Sequence, residues 1–250
     1  SSGNALSSFE KKIKNYLGAN YVLGIINCTS ALQLSIRLLK PKPHEEIIVP
    51  SITFIASVNA IIYNNCKPIF LDCNENLLLD IKKTINFLKT QTYQSKGFCY
   101  NKKTKKKILA VIAVHVFGNL VELNKEFLKI CKKKKLHLIE DSAQALGSFY
   151  PDGKHMGTVG AVGSFSFSAP KVISTGQGGA LITNDDEIAH KIRRLKDFGR
   201  SESGNDVHDT IGYNFKFTDI QAVIGIEQMK KLGLLHGYEN TGNTFLYFLN

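Results

Sequence analysis

Lys171 ends the stretch SFSFSAPK (164–171) and stands just before the glycine-rich STGQGG (174–179). A lysine attacks a carbonyl carbon only if its amine is neutral part of the time, which requires desolvation or a neighbouring cation. Phe165, Phe167 and the glycine-rich turn suit a tight, partly dry pocket around it. Thirty positions upstream, Asp141 closes the apolar run LHLIED, at the kind of strand end where open α/β sheets place ligand contacts. Ser166 adds a small hydroxyl five residues before the lysine, and Thr29 and Ser30 open an early helix. Orphan N–H groups and the macrodipole make a helix N-terminus a natural seat for a phosphate. An imine-forming lysine, a carboxylate to keep a ring nitrogen protonated and an anion cradle are the parts needed to hold pyridoxal phosphate. Gln144, three residues after Asp141, could hydrogen-bond the ring hydroxyl.

Each residue also has a plainer reading. Thr29 and Ser30 could be ordinary N-cap residues for a helix over 30–39. Asp141 could cap a helix or form a turn, Gln144 could be a surface amide, and a lysine taken alone is most often a surface residue. Other chemistries lack their central residues: there is no G-x-S-x-G, no G-x-x-x-x-G-K-[ST] and no H-E-x-x-H. The glycines at 157, 160 and 163 do not have dinucleotide-fingerprint spacing. His115 follows a strand with no companion His or Cys at ligand spacing, which reads as a capping or supporting residue and predicts no metal site.

The elements that would position these residues alternate. Apolar, β-branched runs at 21–26, 46–50, 68–72, 108–115 and 136–140 read as strands. Helical-period segments lie between them at 9–18, 30–39, 53–65, 80–90 and 120–135, which predicts an α/β fold with a mostly parallel sheet sandwiched by helices. Residues 91–107 read as a polar, lysine-rich connector. After residue 145 glycines become dense, AVGSFSFS and GGALITN suggest antiparallel or edge strands, and helices follow at 185–197 and 219–232.

Lys and Arg number 32 against 21 Asp and Glu, a formal net charge of +11. The lysines concentrate in KKTKKK (102–107) and KKKK (132–135), read here as solvated faces without the interleaved aromatics of a single-strand binding platform. Nucleic acid and membrane partners are therefore not expected. Five cysteines with no C-x-x-C pair point to a reducing cytoplasm. No apolar run approaches the roughly 20 residues that span a bilayer, and no signal peptide or anchor is visible.

Seven ordered blocks, NCTSAL, VPSITFIASVNAI, PIFLD, VHVFGN, IEDSAQALGSFY, GTVGAVGSFSFSAPKVISTGQGGALIT and GYNFKFTDIQAVIG, resemble the DegT/DnrJ/EryC1/StrS sugar aminotransferases, pyridoxal phosphate enzymes of the aspartate aminotransferase fold. The resemblance implies that Thr29 and Ser30 bind the cofactor phosphate and that Phe54 stacks on its ring. It gives Asp141 to the pyridine nitrogen, Gln144 to the ring hydroxyl, Ser166 to the phosphate and Lys171 to the Schiff base. Asn214 in GYNFKFTD matches an asparagine lent to the neighbouring subunit's phosphate, which implies a homodimer. The implied reaction moves an amino group, usually from glutamate, to a ketone on a nucleotide-linked deoxysugar, with 4-keto-6-deoxy sugars the nearest subgroup. An excess of positive charge suits a diphosphate substrate. Some members carry histidine in place of the lysine and act as dehydratases; this chain keeps lysine.

Two features depart from the family pattern. Cys28 stands where glycine usually precedes the threonine, so the phosphate loop gains a thiol. The segment after 230 is a poor match for the expected linker helix, which divides the chain into a pyridoxal phosphate domain over 1–230 and the start of a linker over 231–250, with a small C-terminal domain largely missing. The alternative reading is a truncated, catalytically inactive homologue with a structural or binding role.

Overall fold

The structure, a computed structural model, describes residues 4–202 and 206–235. Strands β1 (Tyr21–Ile25), β2 (Glu46–Pro50), β3 (Lys67–Leu71), β6 (Lys107–Val114), β7 (His137–Asp141), β8 (Val162–Ser166) and β9 (Gly179–Thr183) form one sheet in the order β1-β9-β8-β7-β6-β2-β3. The pairs from β3 through β8 are parallel; β9 is antiparallel to both β8 and β1. The expected mostly parallel sheet is present. The segments expected as antiparallel or edge strands form the antiparallel pair β8–β9 inside it, because β1 pairs along the whole of β9 and takes the edge position itself.

Helices α1 (Asn4–Leu17), α2 (Cys28–Arg37), α3 (Ile55–Tyr63), α4 (Ile81–Thr90), α5 (Lys125–Lys133), α6 (Asp186–Leu195) and α7 (Asp219–Leu235) cover the sheet. Alternation along β1 and β9 divides the core: Val22, Ala180 and Ile182 join Phe9, Ile13, Phe167 and Phe217 beneath α1 and α7, whereas Leu23 and Leu181 face the larger cluster that includes Ala31, Leu32 and Ile36 of α2. Period-2 alternation of this kind is what a sheet covered on both faces requires. Gly24 lies between them because a Cβ there would come within 2.9 Å of Leu6 and Phe217.

Helix starts differ from expectation for identifiable reasons. Asn27, not Thr29 or Ser30, is the N-cap of α2, its Oδ1 accepting from Ser30 N at 2.8 Å. Asn124 caps α5 by accepting from Phe127 N at 2.9 Å, so the helix expected over 120–135 begins only at Lys125. Residues 91–107 are not a plain connector. They fold as the antiparallel hairpin β4 (Thr92–Ser95) and β5 (Phe98–Asn101), whose second strand pairs with β6. Thr92, Cys99 and Asn101 point inward, and Lys96 and Gly97 turn the chain with φ of 50° and 77°. Helix α7 runs through 230, the expected domain boundary, to Leu235; residues 236–250 of the expected linker lie outside the described residues. No helix among the described residues is long and apolar enough to cross a membrane.

Candidate active site

The carboxyl ends of β6, β7 and β8 and the N-termini of α2 and α3 surround a cavity of about 430 Å³, a volume in the range that takes a small molecule. Lys171, Asp141, Gln144, Ser166, Thr29 and Phe54 all line it. Six residues spread over more than 140 positions of sequence are thus brought together by the parallel crossovers.

Asp141 is the last residue of β7 and is buried. Its Oδ2 accepts from the Ser57 hydroxyl at 2.6 Å and its Oδ1 from Ala143 N at 3.1 Å. Burial raises its pKa above the ordinary carboxylate range, while the Ser57 and Ala143 bonds and the Lys171 charge pull the other way. Two donors leave lone pairs unused on a carboxylate that can accept about four. Such a group gains most from a further N–H or cation in the cavity.

Lys171 follows a turn in which its N–H donates to Ser168 O at 3.1 Å. Its ammonium makes no hydrogen bond or ion pair among the described residues, and it acts electrostatically on both Asp141 and Cys28. Ser166 Oγ lies 3.1 Å from Ser168 Oγ, a hydroxyl pair at the end of β8. Gln144 Oε1 accepts from Phe117 N at 2.8 Å, which fixes the side chain and leaves its amide N–H groups to donate. Phe54 precedes α3 in extended backbone and is 74% exposed, an apolar side chain offered at the cavity wall.

The anion cradle is narrower than the Thr29–Ser30 pair suggests. Ser30 is buried, does not line the cavity, and has its N–H taken by Asn27. Thr29 and Cys28 remain as first-turn residues on the wall. The Cys28 thiol is buried rather than a free surface group, and burial, followed by the Asp141 charge, pushes its pKa well up. Gly179 lets β9 start directly against this turn, since a Cβ there would meet Cys28 N at 2.5 Å and Asn27 C at 2.6 Å. Asn214 is exposed, bridges Asp197, and does not line the cavity of its own chain.

Sequence reasoning missed the layer behind the wall. Ser57, which holds Asp141, is one helical turn after Phe54 in a mostly apolar stretch, and a hydroxyl at core spacing was the available signal. His115, expected only as a supporting residue, lines the cavity and is pinned at both nitrogens. Val121 N donates to Nδ1 at 3.3 Å, which leaves the ring proton on Nε2, 3.0 Å from Glu140 Oε2. Glu140, fully buried, also accepts from Tyr150 Oη (2.9 Å) and from the N–H groups of Gly157 (2.9 Å), Val159 (2.8 Å) and Gly160 (2.5 Å). Burial pushes its pKa up, but the His115 and backbone donors outweigh that and hold it below the usual range. No group of three or more metal-ligating side chains occurs among the described residues.

The chain is 34% identical over 231 residues to GDP-perosamine synthase of Escherichia coli O157:H7, covering 92% of this chain and 59% of the relative. It is 32% identical to GDP-perosamine synthase of Caulobacter vibrioides, covering 92% and 57%. Among solved structures it superposes on a DegT DnrJ EryC1 StrS aminotransferase from Brucella abortus with a TM-score of 0.83 at 28% identity, covering 92% of this chain and 59% of that one. Helicobacter pylori PseC, an aminotransferase involved in the biosynthesis of pseudoaminic acid, gives 0.80 at 28% identity, covering 93% and 59%. The chain therefore spans a little under three-fifths of the length of these relatives. The sequence profile of the DegT/DnrJ/EryC1/StrS aminotransferase family matches residues 1–237, and the chain belongs to that family.

Proposed function

We propose that this chain binds pyridoxal phosphate in the cavity and uses Lys171 to transfer an amino group to a keto group on a nucleotide-linked deoxysugar. The observation that carries the reading is the meeting of Lys171 with the buried, under-bonded Asp141 in one cavity at the strand ends. The residues fit the cofactor. Asp141 can accept the pyridinium N–H, Gln144 can donate to the ring hydroxyl, Phe54 can cover one ring face, and Thr29 with Ser166 can meet the phosphate. Ser30 supports that phosphate seat by completing the Asn27 cap.

Bound pyridoxal phosphate supplies an electron sink for the carbon that carries the nitrogen. Lys171 Nζ would hold the cofactor and, when free, would carry a proton to or from the substrate carbon. Asp141 would accept the ring-nitrogen proton, and Ser57 keeps Asp141 aimed. Glutamate is the proposed donor and a 4-keto-6-deoxyhexose the proposed acceptor, serving amino-sugar and surface polysaccharide synthesis in the cytoplasm. The relatives named for perosamine support that sugar class. Asn214, exposed and outside its own cavity, is proposed to reach the phosphate of the second subunit in a homodimer. Residues 1–230 are proposed as the cofactor domain and 231–250 as the start of a linker.

Titration with pyridoxal phosphate should give a red-shifted, protein-bound absorption band. Borohydride should then fix the cofactor on the Lys171 peptide, and Lys171→Ala should lose both signals. An unchanged spectrum in that variant sinks the reading. Amino-group transfer from glutamate to GDP- or dTDP-linked 4-keto-6-deoxyhexose, followed by mass, tests the substrates on the same protein.

A further inference from the structure

The net charge of +11 is confined to one place. Residues 91–107 and 129–135 hold eleven lysines with no acid and no arginine, and the other 21 basic residues balance the 21 acids. The two segments are neighbours in space: Gln94 Nε2 donates to Lys133 O at 2.9 Å, Lys134 Nζ to Thr92 Oγ1 at 2.8 Å, and Lys135 Nζ sits 5.3 Å over the Phe98 ring. All but Lys107 and Lys134 are exposed, and none of the eleven makes an ion pair among the described residues. Lys96, Lys105 and Lys135 occupy left-handed backbone (φ 50°, 60° and 53°), a region that favours glycine or asparagine.

This patch does not serve the cavity. It surrounds the start of β6 while the cavity opens at its end, and eight strand residues separate the two by about 25 Å. No patch lysine lines the cavity.

Aromatic residues are interleaved after all, because the hairpin brings Tyr93, Phe98 and Tyr100 to the same surface. Their faces are occupied: Tyr93 and Tyr100 stack on each other at 5.5 Å, and Lys107 Nζ lies 3.8 Å over Phe98. A single-strand binder needs free ring faces for bases, and base or phosphate recognition favours the arginine fork, which this patch lacks. Clustered lysine point charges suit a diffuse layer of anionic headgroups, and half-exposed rings such as Tyr93 and Phe98, each 36% exposed, suit the interfacial level of a bilayer. We propose that the β4–β5 hairpin and the C-terminal turn of α5 form a docking surface for an anionic lipid bilayer.

The test is co-sedimentation of the full chain with vesicles of phosphatidylcholine alone and with added phosphatidylserine. Binding is expected only to the anionic vesicles and should weaken with added salt. The variant Lys102→Gln, Lys103→Gln, Lys105→Gln, Lys106→Gln alters exposed loop positions and should lower vesicle affinity by more than about a hundredfold, at about fivefold per lysine. Its pyridoxal phosphate titration should match the parent, which separates loss of docking from loss of fold. Failure of the parent to bind anionic vesicles overturns the proposal, as does tighter binding to a single-stranded oligonucleotide in the same buffer or a quadruple variant that binds vesicles as well as the parent.

Discussion

Asp141 is held at a cost to the protein without ligand. A carboxyl whose folded-state pKa lies above its unfolded value is penalised for being ionised, so stability is withheld above the folded pKa and regained as pH falls through it. Asp141→Asn removes the charge, keeps one acceptor for Ala143 N, and turns an amide N–H toward the Ser57 hydroxyl, which can accept it. Its cofactor-free form is expected to melt roughly 2–4 °C higher, the shift that about 1 kcal/mol gives in a chain of this size. The same variant should bind pyridoxal phosphate at least about tenfold more weakly, because the ring-nitrogen proton loses its charged acceptor. Thermal melts with and without cofactor check both halves. Lys171, Asp141, Gln144 and Ser166 were legible in the sequence because each falls at a strand end or beside a glycine-rich turn. Ser57 and the Glu140–His115 pair were not, since their role depends on which strands become neighbours.

At the level of elements, the N-terminus of α2 works because β9 can begin against it. Gly179→Ala would drive a methyl group into backbone atoms of Asn27, Cys28 and Phe165, none of which can swing aside as a side chain would. We expect a loss of about 1–3 kcal/mol in denaturant unfolding, the usual cost of overpacking, and weaker phosphate binding measured with the cofactor. Alternating strands and helices could be read from periodicity because fully buried parallel strands are written as unbroken apolar runs. Starts of helices were less legible. Asn27 and Asn124 capture N–H groups three residues on, and a capping side chain leaves only a weak trace in local composition. The hairpin over 91–107 escaped notice because lysines hide its inward Thr92, Cys99 and Asn101, and its turn uses Lys-Gly rather than a stronger Asn-Gly signal.

Across the whole molecule, Glu140 ties together β6 through His115, β7 through its own backbone, and the 157–160 loop through three amides. Its folded pKa is depressed, so the stability it contributes is present above the unfolded carboxylate value and is lost as pH falls through the folded one. Acid unfolding should therefore include a step below about pH 4. In Glu140→Gln that step should shrink while stability at neutral pH drops by about 3 kcal/mol, as expected when a buried charged network loses one partner. Urea midpoints measured across pH read both effects. The confinement of all eleven excess charges to the start of β6 has a practical consequence of its own. Spread on a negatively charged support, the protein should adsorb in a single orientation, hairpin down, leaving the mouth of the cavity turned toward the bulk and open to small molecules.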